Sequence, residues 1–188
     1  RDLHSFPTRR SSDLVAVSKL TWIIAQQYGP FYMRMCRSKT PIIHDNSQEF
    51  QVGKAITMRE GSDCTIAACG ITVKMALDAA DLLNQDGISC RVIDCFSIKP
   101  IDKELLEKAA RETGAIVTCE EHNVMGGFGS AVSEVVSESY PVPIRRIGVQ
   151  DKFGESARDN EIAQLLEKHG MTPINIINMV KEARSQKQ

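Results

Sequence analysis

Apolar positions along this chain follow two periods that alternate from about residue 53 onward. The runs CTIAAC (64–69), ISCRVIDCF (88–96), AIVTCE (115–120) and IRRIGV (144–149) are short, rich in β-branched residues and bounded by turn signals, so they read as strands. Between them lie MALDAADLLNQ, KELLEKAARE and AVSEVVSES, whose apolar residues recur three to four positions apart and predict amphipathic helices. Gly70 and Thr72 open the first of these helices and Asp86-Gly87 ends it, while Pro100-Ile101-Asp102 opens the second. GKAITMRE (53–60) reads as an edge strand turned at Gly61-Ser62-Asp63, and two closing helices are predicted at about 159–169 and 173–185, separated by Gly170. Apolar strands alternating with amphipathic helices predict a mainly parallel sheet with helices on both faces and right-handed crossovers. The expected fold is α/β, in three layers, around about five strands.

The region before residue 53 follows a different plan. Residues 15–28 predict a helix with Val17, Leu20, Trp22, Ile23 and Ile24 on a broad apolar face, stopped by Gly29-Pro30. FYMRMC (31–36) alternates as a strand. This helix and strand make a single αβ unit, expected to be the last piece of a domain whose beginning lies elsewhere. Residues 38–52 are polar, broken by Pro41 and without a sustained period, which predicts a linker. Residues 1–14, RDLHSFPTRRSSDL, have neither period, and FPTRRSSDL resembles the in-frame translation of a sequencing-adapter oligonucleotide. They are set aside as a non-native or disordered segment. The expected organisation is therefore 1–14 set aside, 15–37 a domain remnant, 38–52 a linker and 53–188 one domain.

Composition narrows the function classes. A formal net charge of −1 over 188 residues argues against an electrostatic grip on nucleic acid or an anionic membrane. No apolar run approaches the ~20 residues that span a bilayer. Of the six cysteines, Cys64 and Cys69, and likewise Cys90 and Cys95, stand five apart on predicted strands and so point to opposite faces. They read as small apolar core residues in a reducing cytoplasm, and no metal site is expected.

In open α/β sheets, ligands and partners meet the loops at the carboxyl ends of strands. That rule selects Cys69–Thr72, Phe96–Pro100 and Glu120–Gly129. In the third, Gly126, Gly127 and Gly129 precede a helix, where backbone N–H groups can cradle a phosphate. Neither the dinucleotide fingerprint nor the P-loop pattern is present, so close backbone packing against a neighbouring domain is the alternative. His122, flanked by carboxylates, is either an acid–base residue or a polar loop histidine at a contact. Ser130 reads as structural, and Ser156 in FGESA departs from the nucleophile-elbow pattern. Arg37 lies just past the strand FYMRMC, where its rigid fork of donors suits a phosphate or carboxylate, with an ordinary surface arginine as the alternative.

GPFYMRMCR and the linker ending FQVGKA resemble the junction between the pyrimidine-binding and C-terminal domains of transketolases. SIKPID, EEHNVMGGFGSAV and RIGVQDKFGES resemble further C-terminal signatures of that family, above all those of short C-terminal subunits found as separate chains. The resemblance covers about residues 15–182 and implies transfer of a two-carbon ketol unit between phosphorylated sugars. It implies thiamine diphosphate held with Mg2+, bound mainly outside this chain. A partner N-terminal subunit would carry the diphosphate-binding domain, in a homodimer or heterotetramer. The glutamate that activates the cofactor belongs upstream, in the pyrimidine-binding domain. Residue by residue, Arg37 matches the family's substrate-phosphate contact, and His122 with Gly126, Gly127 and Gly129 falls at interface elements. The β subunit of 2-oxoacid dehydrogenases and deoxyxylulose-phosphate synthase share the architecture. The latter usually shows Arg-Pro-Arg-Gly where this chain has Arg34-Met35-Cys36-Arg37. A non-catalytic assembly or regulatory module is the remaining reading.

Overall fold

A computed structural model describes residues 8–10, 12–36, 40–155 and 158–187. In chain order it contains β1 (Thr8–Arg10), α1 (Leu14–Ala25), β2 (Tyr32–Arg34), β3 (Ile56–Arg59), β4 (Cys64–Ala68), α2 (Thr72–Gln85) and β5 (Cys90–Asp94). There follow β6 (Ser97–Lys99), α3 (Lys103–Thr113), β7 (Ile116–Asn123), α4 (Phe128–Ser139), β8 (Ile144–Val149), a 3-10 turn at Asp159–Glu161, α5 (Ile162–Lys168) and α6 (Pro173–Ser185).

The strands that read as continuous apolar runs take the middle of the main sheet. Its order is β3-β5-β4-β7-β8. Every residue of β4 and β5 is buried, as expected of parallel strands covered on both faces. β3 pairs antiparallel to β5 at one edge, and the other neighbours pair parallel. Because side chains alternate along a strand, each run feeds two cores. Ile66, Val92 and Val117 pack with Ala76 and Leu83 of α2 and with Ile176 and Val180 of α6. Ala67, Ile93 and Ile116 pack with Leu106 of α3 and with Phe128, Val132 and Val136 of α4. The three-layer, five-stranded α/β expectation is met.

Local chemistry sets the helix ends. The Asp102 carboxylate accepts from Leu105 N at 3.2 Å at the start of α3. At its end, Gly114 adopts a left-handed φ of 65° and returns its N–H to Ala110 O at 2.9 Å. Thr172 caps α6, with Pro173 in the first turn.

Four features differ from the sequence reading. Helix α1 ends at Ala25, short of Gly29-Pro30. Strand β7 continues through Glu121, His122 and Asn123, which the sequence reading placed in the following turn. Pairing of Asn123 with Val149 holds this extension, a tertiary contact that local pattern does not encode. The helix anticipated at 159–169 divides into a 3-10 turn and the short α5. The segment set aside at 1–14 contributes to the fold within its described part. β1 pairs parallel to β2 and antiparallel to β6 in a second, three-stranded sheet, and Ser12 and Asp13 are buried.

The α1–β2 unit is joined to the larger domain by this small sheet and by a third core. In it Ala16 and Leu20 meet Phe96, with Met33, Phe50 and Ile56 partly buried around them.

Leu83 is fully buried between α2 and the sheet, whereas its neighbour Leu82 is 44% exposed. Leu83→Ala is expected to lower stability by about 2–5 kcal/mol in urea unfolding. Leu82→Ala should change it by no more than about 0.5 kcal/mol.

Candidate functional site at the carboxyl edge

Four parallel strands place their carboxyl ends on one side of the sheet, and a cleft of about 870 Å³ opens there. Ile71, Met75, Leu165, Leu166 and Met171 supply apolar walls, with Arg34, Lys74, Lys152, Glu121 and His122 among the polar lining. Arg34, at the end of β2, lies 3.9 Å from Glu121 at the end of β7. This half-exposed pair spans the α1–β2 unit and the main sheet, and an exposed pair of this kind contributes at most about 1 kcal/mol.

The glycine-rich turn is already occupied by a carboxylate of this chain. Glu120 is completely buried and accepts from Phe128 N at 2.7 Å and Gly129 N at 2.8 Å. These are the N–H groups that a helix start leaves without partners and that a phosphate would seek. The glycines are needed for the fit. A Cβ on Gly127 would sit 2.3 Å from both Glu120 Oε2 and Asn123 O, and one on Gly129 would sit 2.5 Å from Thr118 Oγ1. Gly126 turns with φ 71° and meets nothing within 4 Å. At Gly127 and Gly129 the close approach is to β7 of the same domain.

Ser130 is occupied in the same way. Its Oγ accepts from Gly126 N at 3.1 Å and lies 3.2 Å from Val124 O, and Arg146 Nη1 also donates to Val124 O at 3.0 Å. His122 is exposed and lines the cleft. Of the other two places, Thr72 Oγ1 bonds Cys69 O and Cys119 O, at 2.9 and 2.8 Å, and ties the start of α2 to the sheet. Phe96 is buried in the third core, and Ser97–Lys99 forms β6. Arg37 and Ser156 lie outside the described residues.

The cysteines divide between the two faces as their spacing required. Cys64 and Cys90 face the α2–α6 side, and Cys69 and Cys95 the α3–α4 side. Burial pushes the Cys64 thiol up to about 12 and the Cys90 thiol up to about 11, so both stay protonated and inert near neutrality.

One polar cluster was not anticipated from the sequence. His44, in the connection between α1–β2 and the main domain, is 4% exposed. Its Nδ1 lies 3.2 Å from Asp13 Oδ2 and its Nε2 3.2 Å from Asp94 Oδ2. Neither contact has the alignment of a full hydrogen bond, and both bring the ring against a carboxylate. The available signal was Asp94 itself, a carboxylate inside the apolar run ISCRVIDCF. Likewise, Glu120 closing a buried run just before a helix start was the available sign of an internal cap.

A family model described as the transketolase C-terminal domain matches residues 53–176. The chain belongs to the transketolase family. It is similar to a 6-deoxy-6-sulfo-D-fructose transketolase subunit of Clostridium sp. (strain MSTE9), 42% identical over 159 residues, which are 85% of this chain and 48% of that protein. A 1-deoxy-D-xylulose-5-phosphate synthase of Heliobacterium modesticaldum is 42% identical over 132 residues, 70% of this chain and 20% of that one. A solved split-gene transketolase, described as an inactive β4 tetramer, superposes with a TM-score of 0.94 at 42% identity, covering 100% of this chain and 61% of its own. The chain therefore spans about half the length, or less, of these curated relatives.

Transketolases imply thiamine diphosphate, and the residues described here do not by themselves form a site for it with a divalent ion. Among the described residues, no group of three or more His, Cys, Asp or Glu side chains is arranged to hold a metal ion. The amides of the glycine-rich turn are already bonded to Glu120.

Gly127→Ala is expected to destabilise the transketolase C-terminal domain by about 1–3 kcal/mol in thermal or urea unfolding, since backbone and carboxylate lie against the added methyl. Gly154→Ala, with nothing within 4 Å of its Cβ position, should stay within about 0.5 kcal/mol.

Proposed function

We propose that this chain is the C-terminal part of a transketolase that moves a two-carbon ketol unit between phosphorylated sugars, and that it is inactive alone. The observation that carries the reading is an αβ unit with an exposed apolar helix face, attached to a region that matches the transketolase C-terminal domain. On α1 only Ala16 and Leu20 are buried, while Trp22 is 69% exposed and Leu14 is exposed beside it. A largely apolar helix covered on one side is suited to a further layer of the pyrimidine-binding domain, of which residues 15–37 are the last piece. Residues 38–52 then serve as the linker, and the domain proper occupies 53–188.

In this reading an N-terminal subunit supplies the diphosphate-binding domain, and the assembly is a homodimer or heterotetramer working in the pentose phosphate pathway of the cytoplasm. Thiamine diphosphate and Mg2+ are held mainly outside this chain, by the partner's diphosphate-binding domain and by a pyrimidine-binding domain. Arg37 contacts the substrate phosphate through its fork of donors. His122 and the turn at Gly126, Gly127 and Gly129 contribute to contacts between domains or subunits. The inactive tetramer of the split-gene relative supports the view that C-terminal chains of this kind assemble without becoming competent. The synthase relative favours a second reading, the C-terminal region of a deoxyxylulose-phosphate synthase. Against it stands Arg34-Met35-Cys36-Arg37 in place of that enzyme's usual Arg-Pro-Arg-Gly.

Calorimetry of the chain alone with thiamine diphosphate and Mg2+ is expected to show no binding, and a saturable signal would overturn the assignment. In the protein completed with its upstream domains, Arg37→Ala should raise KM for a phosphorylated acceptor by about tenfold or more, the loss of one charge-assisted contact. KM for an unphosphorylated acceptor should stay within about twofold. Equal losses on both acceptors would remove Arg37 from the phosphate site.

A further inference from the structure

Three separate stretches of chain meet in one buried polar cluster. Asp13 precedes α1, His44 lies in the connection and Asp94 ends β5. The side chains of Asp13 and His44 have no exposure, and Asp94 is fully buried. Phe50 closes over the imidazole edge-on, with ring centroids 5.1 Å apart, and Phe96 backs Phe50 at the same distance.

The two carboxylates are held differently. Asp13 accepts from three backbone N–H groups, Ala16 at 2.8 Å, Ile43 at 2.7 Å and His44 at 2.8 Å. It therefore remains an anion whatever the imidazole does. Asp94 accepts from the Ser12 hydroxyl at 2.6 Å and faces the imidazole at 3.2 Å, and its Oδ1 has no donor among the described residues. Among those residues, Asp13 and Asp94 are the charged groups acting on the ring.

We propose that Asp13, His44 and Asp94 form a protonation-dependent latch between the α1–β2 unit and the main domain, tight while the His44–Asp94 pair keeps its proton and slack once it is lost. With both ring nitrogens protonated, the imidazolium offers a donor to each carboxylate. A neutral ring carries one N–H, so one carboxylate then faces a lone pair across 3.2 Å. Losing that proton also leaves two buried carboxylates without a balancing cation.

The direction of titration agrees with the geometry. Burial opposes charging His44, yet the contacts with Asp94 and then Asp13 outweigh it and raise its pKa. Burial pushes Asp94 up as well. The pair thus holds a proton to higher pH than a free histidine does. A raised folded-state pKa contributes stability that is complete below the ordinary histidine range and is lost as pH rises through the folded value. Asp13 acts oppositely. Burial alone would raise it, but its backbone donors bring it below the ordinary carboxylate value, so its contribution fades only in acid. The latch is tightest in mildly acidic solution and opens toward alkaline pH, for the chain as it stands.

Hydrogen exchange on the full 188-residue chain tests this. After correction for intrinsic rates, protection of the α1 amides should fall by up to about tenfold per pH unit above the His44–Asp94 titration, the slope of one linked proton. The amides of β4 and β7 should hold their protection over the same range. His44→Gln keeps two polar ends without a titrating proton and should flatten the dependence. Protection of α1 that is unchanged between about pH 6 and about pH 9 in the unmodified chain, or an equal slope in His44→Gln, overturns the proposal. Should the variant fail to fold, the 15N shifts of the His44 ring in the unmodified chain decide. Both nitrogens protonated at about pH 6, with a transition above the ordinary histidine value, support the latch, and a neutral tautomer throughout removes it.

Discussion

Strand β4 has neighbours on both sides and is buried on both faces, and much of the molecule follows from covering it. Its parallel pairing with β5 and β7 requires long crossovers, and helices are the elements that can both span the sheet and bury an apolar face on it. Right-handed crossovers then put α2 on one side and α3 and α4 on the other, and α6, which follows the last strand, packs beside α2. Parallel pairing also brings the ends of β4, β5, β7 and β8 out on one side. The cleft, Glu120 and Asp94 share that side because the sheet is parallel, not because their sequences are close.

Two buried carboxylates at that edge show how the same group serves different ends. Glu120 receives two backbone N–H groups from the start of α4 and stands in for the anion that a helix start attracts. Held by two backbone N–H groups, it acts as a fixed part of the frame. Asp94 depends on a hydroxyl and an imidazole and keeps one oxygen without a donor among the described residues. A buried charge balanced by a titratable partner is sensitive to pH in a way that one balanced by amides is not.

Membership of the transketolase family gives the α1–β2 unit its meaning. Taken alone, it is a helix with exposed Trp22 and Leu14 beside a strand of three residues, too little to bury its own core. The small sheet and Phe96 hold it to the larger domain and leave its other side open. An exposed apolar face of this kind is a surface suited to a further layer.

By itself the sequence determined the fold class, the order of the main strands and helices, and the division of the cysteines between two cores. These rest on periods of two and 3.6 residues and on nearby caps, which are local. Asp102 before α3 was legible for the same reason. Tertiary structure decided the rest. The extension of β7 through Asn123 depends on Val149, and burial of Asp13 with His44 and Asp94 joins residues separated by many turns of chain. Only folding put Glu120 beneath the amides of Phe128 and Gly129, where an internal carboxylate occupies the place that the glycine pattern had left open to phosphate. A periodic pattern records which face of an element is apolar. It does not record which polar group from a distant segment meets it, because that pairing exists only after the layers have packed.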